Sequence, residues 1–231
     1  ACTLIYSAAR KLKLPQVTSA TACVFLHRFF MRHSLRDYHH YNIAATCLFF
    51  ACKSEETLRK LDDFIPIIVH YASKGLRTAA PGTAEFDKWR AVILRTEISL
   101  LQALCFDMVV GHPHVQLAAL AEELRLGRRV SQMAWSFIGD CLRLPVCVVH
   151  GPRAIACAAV SLANRVNAVA DDAWLDRVDV SRAEVAEIVQ WVLEFYSREA
   201  QSRLAGASAE HAVEVSPTPA SSPGSSMSPM N

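Results

Sequence analysis

Residues 44–53, AATCLFFACK, form an apolar run that is rich in small side chains and ends in a cation. Residues 156–165, ACAAVSLANR, repeat this character 112 positions later (156 − 44). Small side chains on every face let neighbouring helices approach closely, so each run predicts a helix at the centre of a bundle, surrounded by the others. Two bundles built on one plan are therefore expected.

A second pair of segments supports this duplication. The same shift of 112 places TACVFLHRFFM (21–31) on MAWSFIGDCLR (133–143). A shift of 87 lays EISLLQALCF (97–106) over EVAEIVQWVL (184–193), as expected if one loop of the first copy is missing from the second. Self-similarity at a fixed period indicates a repeated structural unit. The predicted fold class is all-α, with two tandem five-helix units.

Apolar residues recur at helical spacing through most of the chain, and no β-branched run between turn signals makes a convincing strand. The pattern predicts helices near residues 3–13, 16–33, 38–54, 57–71, 85–107, 114–125, 130–144, 152–167 and 181–198. Pro15 and Pro152 are expected to open helices, because the first turn does not need their missing N–H groups. Pro66 should kink or shorten the fourth helix.

Breaks in the pattern suggest where the chain divides. Residues 73–84, SKGLRTAAPGTA, combine Gly and Pro without periodicity and predict a loop. We expect one domain at 1–110, with its first helix truncated, and a second at 111–200. Residues 206–231 shift to Ser, Pro, Ala and Gly, a composition that cannot bury enough apolar surface to offset its ordering entropy, so a disordered tail is expected.

The charge balance and the missing motifs exclude several classes of protein. Twenty-four Lys plus Arg against 22 Asp plus Glu give a net charge of +2, without the basic field of a nucleic-acid-binding protein. The chain contains no GxSxG, GxxxxGKS, GxGxxG or HExxH sequence, so neither an enzyme nor a bound cofactor is expected. The chain has neither a membrane-length apolar run nor a secretion signal, and an intracellular protein is expected. Its first residue, Ala1, suggests a fragment or a processed start.

The eight cysteines are interpreted as reduced core thiols, because most lie in apolar helical runs of a chain whose core needs no disulfides. There is no CxxC pair, and the histidines do not stand at zinc-ligand spacing from any cysteine. His39-His40 and His112-Pro113-His114 leave a metal site as an alternative.

The duplicated bundle with its small-residue third helix resembles the cyclin box. The amino-acid sequence of its segments is similar to that of the transcriptional cyclins, in particular cyclin K and the fungal beta subunit of the RNA polymerase II tail kinase. The resemblance covers nearly all of residues 4–198. It is carried by KLKLPQVTSATACVFLHRFFM (11–31), AATCLFFACKSEET (44–57), KLDDFI (60–65), ISLLQALCFDMVVGHPH (98–114), QMAWSFIGDCLRL (132–144) and GPRAIACAA (151–159). The first-helix docking patch of the cell-cycle cyclins is not visible, which leaves substrate recruitment through it unsupported.

This resemblance implies a non-catalytic nuclear subunit that binds and activates a cyclin-dependent kinase as a heterodimer, with a third subunit left open. The implied substrate is the set of C-terminal repeats of RNA polymerase II. A cyclin T-like subunit of the elongation-factor kinase is the alternative within the family. A DNA-binding general transcription factor with the same paired bundle is the alternative from another class, and its basic face is missing here.

By resemblance, Lys53 and Glu56 hydrogen-bond the kinase next to its mobile αC helix. Their spacing of three residues around the end of the third helix predicts that they share one side. The alternative is that Lys53 complements the negative end of its helix and Glu56 the positive start of the next. Lys13 matches a kinase-contacting lysine of the family more loosely, with a solvated helix-end lysine as its alternative.

The fifth helix is implied to supply apolar contacts through Leu101, Leu104 and Phe106, although each also fits a core position. Arg28 is interpreted as a structural ion-pair residue. In the tail, four Ser-Pro or Thr-Pro dipeptides are minimal sites for a proline-directed kinase, and a simple flexible tail is the alternative. Their acceptor residues are Ser216, Thr218, Ser222 and Ser228.

Overall fold

The computed structural model of the chain describes residues 1–168 and 172–214, with side chains as far as residue 204. Every regular element in this part of the chain is helical, which confirms the all-α prediction. The helices are α1 (Cys2–Lys11), α2 (Gln16–Phe30), α3 (His40–Ser54), α4 (Leu61–Ala72), α5 (Ala84–Ala103), α6 (Pro113–Glu123), α7 (Arg128–Cys141), α8 (Val146–Val149), α9 (Pro152–Val166) and α10 (Arg182–Glu214), with a 3₁₀ turn at Ala173–Arg177.

The duplication is visible in the positions of the helices. Helix α2 begins at residue 16 and α7 at 128, while α3 begins at 40 and α9 at 152, so both pairs are 112 residues apart. Within the first copy α2 packs on α3, and within the second α7 packs on α9. The shift read from the sequence is therefore the shift between equivalent helices.

Helix α3 occupies the centre of the first copy, as its composition predicted. It packs against α1, α2, α4 and α5, and its residues from Ile43 to Cys52 are all buried. Helix α9 is buried in the same way from Ala154 to Asn164. The hydroxyls of Thr46 and Thr96 lie 2.6 Å apart between α3 and α5, so these two buried polar groups are not left unpaired.

Polar contacts join the two copies. The Tyr6 hydroxyl donates to the carbonyl oxygen of Gly139 at 3.2 Å, and His27 Nε2 lies 3.2 Å from the carbonyl oxygen of Leu142. Trp135 Nε1 donates to Gln16 Oε1 at 2.7 Å. Residues 1–192 accordingly form one compact unit, and the second unit begins at Leu193. The predicted division at residue 110 stays a prediction.

Helices α1, α5 and α6 end two to four residues earlier than the periodicity predicted, because the residue after the cap turns into the left-handed region, as it also does after α3 and α4. Such residues include Lys13, Glu56, Lys74, Cys105 and Arg125, with φ between 50° and 54°, and none is glycine. Helix α5, for example, stops at Ala103 rather than near 107. The left-handed conformation lets the N–H of that residue and the N–H of the next one donate to carbonyls of the last turn, which ends the helix.

The effect of each proline on its helix, and the point where the last helix ends, can be compared with the predictions. Pro15 and Pro152 stand at helix starts, whereas α4 runs across Pro66 from Leu61 to Ala72. Helix α10 continues to Glu214, into the stretch predicted as a tail. The four predicted phosphorylation sites, Ser216, Thr218, Ser222 and Ser228, lie outside the described residues.

The cysteines are free thiols, and five of them are buried in the helical core. Cys2 and Cys147 are half-buried. Cys105, which follows α5, is exposed, so it departs from the core interpretation that the apolar runs suggested. None of the helices in the described ranges is long and apolar enough to cross a membrane.

Candidate functional site

Lys53, in the last turn of α3, is held in place by two neighbours. Its Nζ atom is ion-paired with Glu97 Oε1 on α5 and lies 4.9 Å from the centroid of the Phe49 ring. The Lys53 side chain is 41% exposed and that of Glu97 is 16% exposed. These contacts restrict a long side chain before a partner binds, which lowers the entropy lost on association. Helical spacing gave no sign of Glu97, which is 44 residues away along the chain.

Glu56 lies outside helix α3, so helical spacing does not set its position relative to Lys53, and their common side stays a prediction. Helix α3 ends at Ser54, and Glu56 has a φ of 53°. The Glu56 N–H donates to the Lys53 carbonyl at 3.3 Å, and the Thr57 N–H to the Cys52 carbonyl at 2.8 Å. This pair of bonds is the Schellman ending of a helix. Glu56 is exposed, and its backbone position is fixed by the turn rather than by helical periodicity.

The two adjacent glutamates of this turn have different environments. Glu55 accepts a hydrogen bond from the Thr21 hydroxyl at 2.7 Å, and its Oε1 lies 3.9 Å from His112 Nε2. Glu55 therefore links α3 to α2 and to the segment before α6. Glu56 makes no such contact among the described residues, and its carboxylate faces solvent. Glu56, not Glu55, is the carboxylate of this turn that can reach a partner.

Lys13 lies in an equivalent turn after α1, with a φ of 52°. Arg59 Nη2 donates to the Leu12 carbonyl at 3.4 Å, and Arg59 Nη1 donates to the Thr57 carbonyl at 3.3 Å. Arg59 thus ties the residue before Lys13 to the residue after Glu56. Both predicted charged residues are exposed, and they belong to two turns that one side chain joins.

An apolar stripe runs along α5 beside Glu97. Leu94 is 43% and Ile98 63% exposed, and Leu101 is half-buried. These residues stand at i, i+4 and i+7, so they share one face of the helix. Soluble proteins leave single apolar residues exposed, whereas several on one helical face make that face a candidate surface for a protein partner. Leu94 and Ile98 were missed because the sequence pattern fits them equally well to a core.

The three apolar residues predicted to contact a partner differ in their solvent exposure. Phe106 is 67% exposed, whereas Leu104 is only 5% exposed and packs in the core. Leu104 precedes the left-handed turn at Cys105 and Phe106, and that turn carries Phe106 outward from the helix. Leu101 and Phe106 can contact a partner, and Leu104 has little surface to offer one.

Arg28 supports the segment that follows Phe106. Its Nη1 atom donates to the carbonyls of Asp107 and Val109 at 3.3 and 3.4 Å and lies 3.9 Å from the Asp107 carboxylate. These contacts fit the structural role predicted for Arg28. We use the name α3–α5 surface for the residues Lys13, Lys53, Glu56, Leu94, Glu97, Ile98, Leu101 and Phe106.

The histidines considered for a metal site have other neighbours. His114 Nε2 lies 3.3 Å from Gln16 Nε2, and its ring packs 4.5 Å from the Trp135 ring centroid. His112 Nε2 lies 3.2 Å from the Thr21 hydroxyl. Burial lowers the pKa of both, that of His114 to about 4. No group of three or more His, Cys, Asp or Glu side chains that could hold a metal occurs in the part of the chain described.

Comparison with known sequences gives a consistent set of relatives. The family model described as "Cyclin, N-terminal domain" matches residues 1–109. Cyclin pch1 of Schizosaccharomyces pombe is 35% identical over 234 residues, covering 95% of this chain and 68% of that protein. Cyclin-T1-4 of Arabidopsis thaliana is 32% identical, covering 91% and 42%. Cyclin-L1 of Homo sapiens is 31% identical, covering 85% and 39%. The chain thus spans two thirds of the first relative and less than half of the other two.

Solved structures show the same fold. A chain of the yeast RNA Pol II CTD kinase CTDK-1 complex matches with a TM-score of 0.70 at 21% identity, over 84% of this chain and 63% of that one. A chain of the Chaetomium thermophilum CAK complex bound to ATP-gamma-S matches with a TM-score of 0.61 at 23% identity, over 86% and 61%. Both likenesses extend across the two copies of the helical unit.

Proposed function

Because this chain belongs to the cyclin family, we propose that it is the regulatory subunit of a cyclin-dependent protein kinase that acts in transcription. Cyclins carry out no chemistry themselves; they bind a kinase and switch it on. The observation that carries the proposal is the α3–α5 surface, where the fixed Lys53–Glu97 pair lies beside an exposed apolar stripe.

The physical task of such a surface is to hold the kinase in its active arrangement. A protein kinase is active only when its strand lysine pairs with a glutamate of the mobile αC helix. Docking αC against a rigid helical face favours that arrangement. Moving a kinase from about 1% to about 99% active requires a preference of roughly 5.5 kcal/mol, which calls for an interface of about 1,600 Å² or more.

The residues of the surface have separable tasks. Leu94, Ile98, Leu101 and Phe106 provide the apolar area that αC covers. Lys53 is presented by Glu97 and Phe49, so it can donate to kinase carbonyls with little loss of side-chain freedom. Glu56 and Lys13 offer a carboxylate and an ammonium on backbone turns whose hydrogen bonds fix their positions.

The names of the relatives favour a kinase that phosphorylates the C-terminal repeats of RNA polymerase II. The CTDK-1 chain matched here comes from an RNA Pol II CTD kinase, and the matched sequences include cyclins of the T and L types. A nuclear location and a heterodimer with the kinase belong to this proposal, and a third subunit stays open. So do the Ser/Pro-rich tail sites Ser216, Thr218, Ser222 and Ser228 as targets of the bound kinase.

Two alternatives make different predictions. A cyclin T-like subunit would activate an elongation-factor kinase instead of the tail kinase. A DNA-binding factor with the same fold would need a basic face, and the nearly balanced charge of 24 basic against 22 acidic residues argues against one.

The test is to mix the purified chain with each candidate kinase and measure phosphorylation of polymerase repeat peptides. We expect one kinase to be activated and the double variant Lys53→Ala/Glu56→Ala to lose most of that gain while keeping its helical content. The control is Glu123→Ala/Arg153→Ala, which removes an exposed ion pair of the second copy and should leave activation unchanged. If neither kinase binds or responds, the proposal is wrong.

A further inference from the structure

A polar groove lies between α1 and α7, away from the α3–α5 surface. Its volume is about 310 Å³, and both walls are helical faces. Thr3, Tyr6, Ser7 and Arg10 line the α1 wall at i, i+3, i+4 and i+7. The opposite wall repeats this spacing with Ser136, Gly139 and Asp140 of α7 and with Arg143, two residues after that helix ends. Two helices usually pack through apolar stripes, whereas these two face each other with hydroxyls and guanidinium groups.

Three contacts give the relative direction of the helices. Cys2, at the start of α1, has its Sγ 3.7 Å from His27 Nε2, and that nitrogen lies 3.2 Å from the carbonyl oxygen of Leu142. Further along α1, the Tyr6 hydroxyl reaches the carbonyl of Gly139. The helices therefore run antiparallel. Arg143 stands at the Thr3 end of the groove, and Arg10 stands at the opposite end, towards Ser136.

The two arginines differ in the contacts that their guanidinium groups make within the chain. The guanidinium of Arg10 is exposed and has no hydrogen bond or ion pair with another described residue. Arg143 Nη1 lies 3.6 Å from Asp140 Oδ1, and the Arg143 side chain is 25% exposed. The groove thus holds two guanidinium groups against one carboxylate, so its net charge favours an anionic ligand.

The length of the groove limits the ligand further. Seven residues of α-helix separate Thr3 from Arg10, which is about 10 Å along the axis. Three residues of extended peptide span about the same distance. Serine and threonine hydroxyls along both walls can pair with the backbone groups that an extended peptide leaves free. A helical ligand would instead need an apolar stripe to pack against.

We propose that this groove binds an extended peptide carrying two phosphoserines three residues apart, one at Arg10 and one at Arg143. The choice of phosphate over carboxylate rests on the proposed function, because a kinase acting on repeated serines produces such peptides. A phosphate also has three acceptor oxygens, enough for a guanidinium and a neighbouring hydroxyl together. The groove would then hold already phosphorylated repeats of the substrate while the kinase modifies others.

Fluorescence anisotropy with labelled 12-residue peptides tests the proposal on the full chain without a kinase. The peptide with two phosphoserines at i and i+3 should bind at least about tenfold more tightly than its unphosphorylated form or a form with adjacent phosphoserines. Arg10→Glu should abolish that difference. Lys11→Glu, the same charge change one residue along α1 and outside the groove, should keep the affinity within about twofold.

Misfolding can weaken binding but does not strengthen it, so a variant that is expected to bind more tightly is tested as well. Asp140→Asn removes the carboxylate that competes for Arg143, so it should tighten binding of the doubly phosphorylated peptide by about threefold or more. Equal loss in Arg10→Glu and Lys11→Glu would show nonspecific attraction and overturn the proposal. Equal binding of a peptide with glutamates in both positions would do the same, since it assigns the groove to an acidic partner. Because Lys53→Ala/Glu56→Ala lies outside the groove, it should bind the peptide normally even where it fails to activate a kinase.

Discussion

Lys53 at the end of α3 and Glu97 in the middle of α5 form an ion pair that joins two helices across the candidate kinase-binding surface. The pair is partly exposed, so it contributes little to folding, typically up to about 1 kcal/mol. Its main consequence is to fix the position of Lys53 next to the apolar residues of α5.

Glu97→Ala should therefore separate binding from stability. We expect the free energy of unfolding to change by less than about 1 kcal/mol, whereas the affinity for the kinase falls because Lys53 is no longer held. Urea denaturation and calorimetric titration with the kinase measure the two quantities. A double-mutant cycle with Lys53→Ala should show coupling, and additive effects on binding would refute the role assigned to Glu97.

Glu56→Gly should stabilise the fold by about 0.5 to 1 kcal/mol while weakening kinase binding. Glycine adopts the left-handed conformation of this turn without the steric cost that glutamate incurs, but it removes the exposed carboxylate. Lys74→Gly is the matched control, since Lys74 occupies the same kind of turn after α4 with a φ of 54°. Both variants should raise the urea midpoint, and only Glu56→Gly should weaken binding. Unchanged affinity in Glu56→Gly would exclude Glu56 as a contact.

Leu104 and Phe106 should respond in opposite ways to truncation. Leu104→Ala opens a cavity in the core and should cost about 2 to 5 kcal/mol of stability. Phe106→Ala removes an exposed ring, so its stability should change by less than about 1 kcal/mol while kinase activation falls. Thermal unfolding and the kinase assay distinguish them. A large loss of stability in Phe106→Ala would show that the ring packs on its own chain instead.

The chain should lose stability as the pH falls from about 6.5 to 4. Burial lowers the pKa of His114 to about 4, whereas an unfolded histidine titrates near 6.5. Between these values the unfolded chain binds a proton that the folded chain does not, so lower pH favours unfolding, and the effect ends below the folded pKa. The expected loss is about 1 to 3 kcal/mol.

His114→Gln should reduce this pH dependence, because glutamine does not titrate and can still reach Gln16. Urea midpoints measured from pH 7 to pH 4.5 give the comparison. A smaller slope should remain in the variant, since burial also lowers the pKa of His112. The same slope in both proteins would contradict the assignment to His114.

The sequence predicted the helices well where periodicity alone determines them. The shift of 112 residues located α2, α3, α7 and α9, and small side chains identified α3 and α9 as central. The C-terminal ends of helices were less predictable, because residues such as Cys105 and Glu56 take up a left-handed conformation that normally requires glycine. Backbone hydrogen bonds to the last helical turn hold them in it.

The sequence predicted some residues of the candidate site and missed others. Lys53, Glu56 and Lys13 were identified through their resemblance to a family, and each is exposed. Glu97 was missed because its partner is 44 residues away, and a contact at that distance leaves no local pattern. Leu104 and Phe106 looked alike in sequence, since hydrophobicity alone does not say which side of a turn faces the core.

The distribution of the cysteines places one exposed thiol beside the candidate kinase-binding surface, where a fluorescent label would report binding. All eight lie within the described residues, and among them only Cys105 is exposed. It directly precedes Phe106, the apolar residue that the kinase is expected to cover. Cys105 is therefore the thiol most accessible to a maleimide fluorophore, and the emission of a fluorophore coupled there would report partner binding.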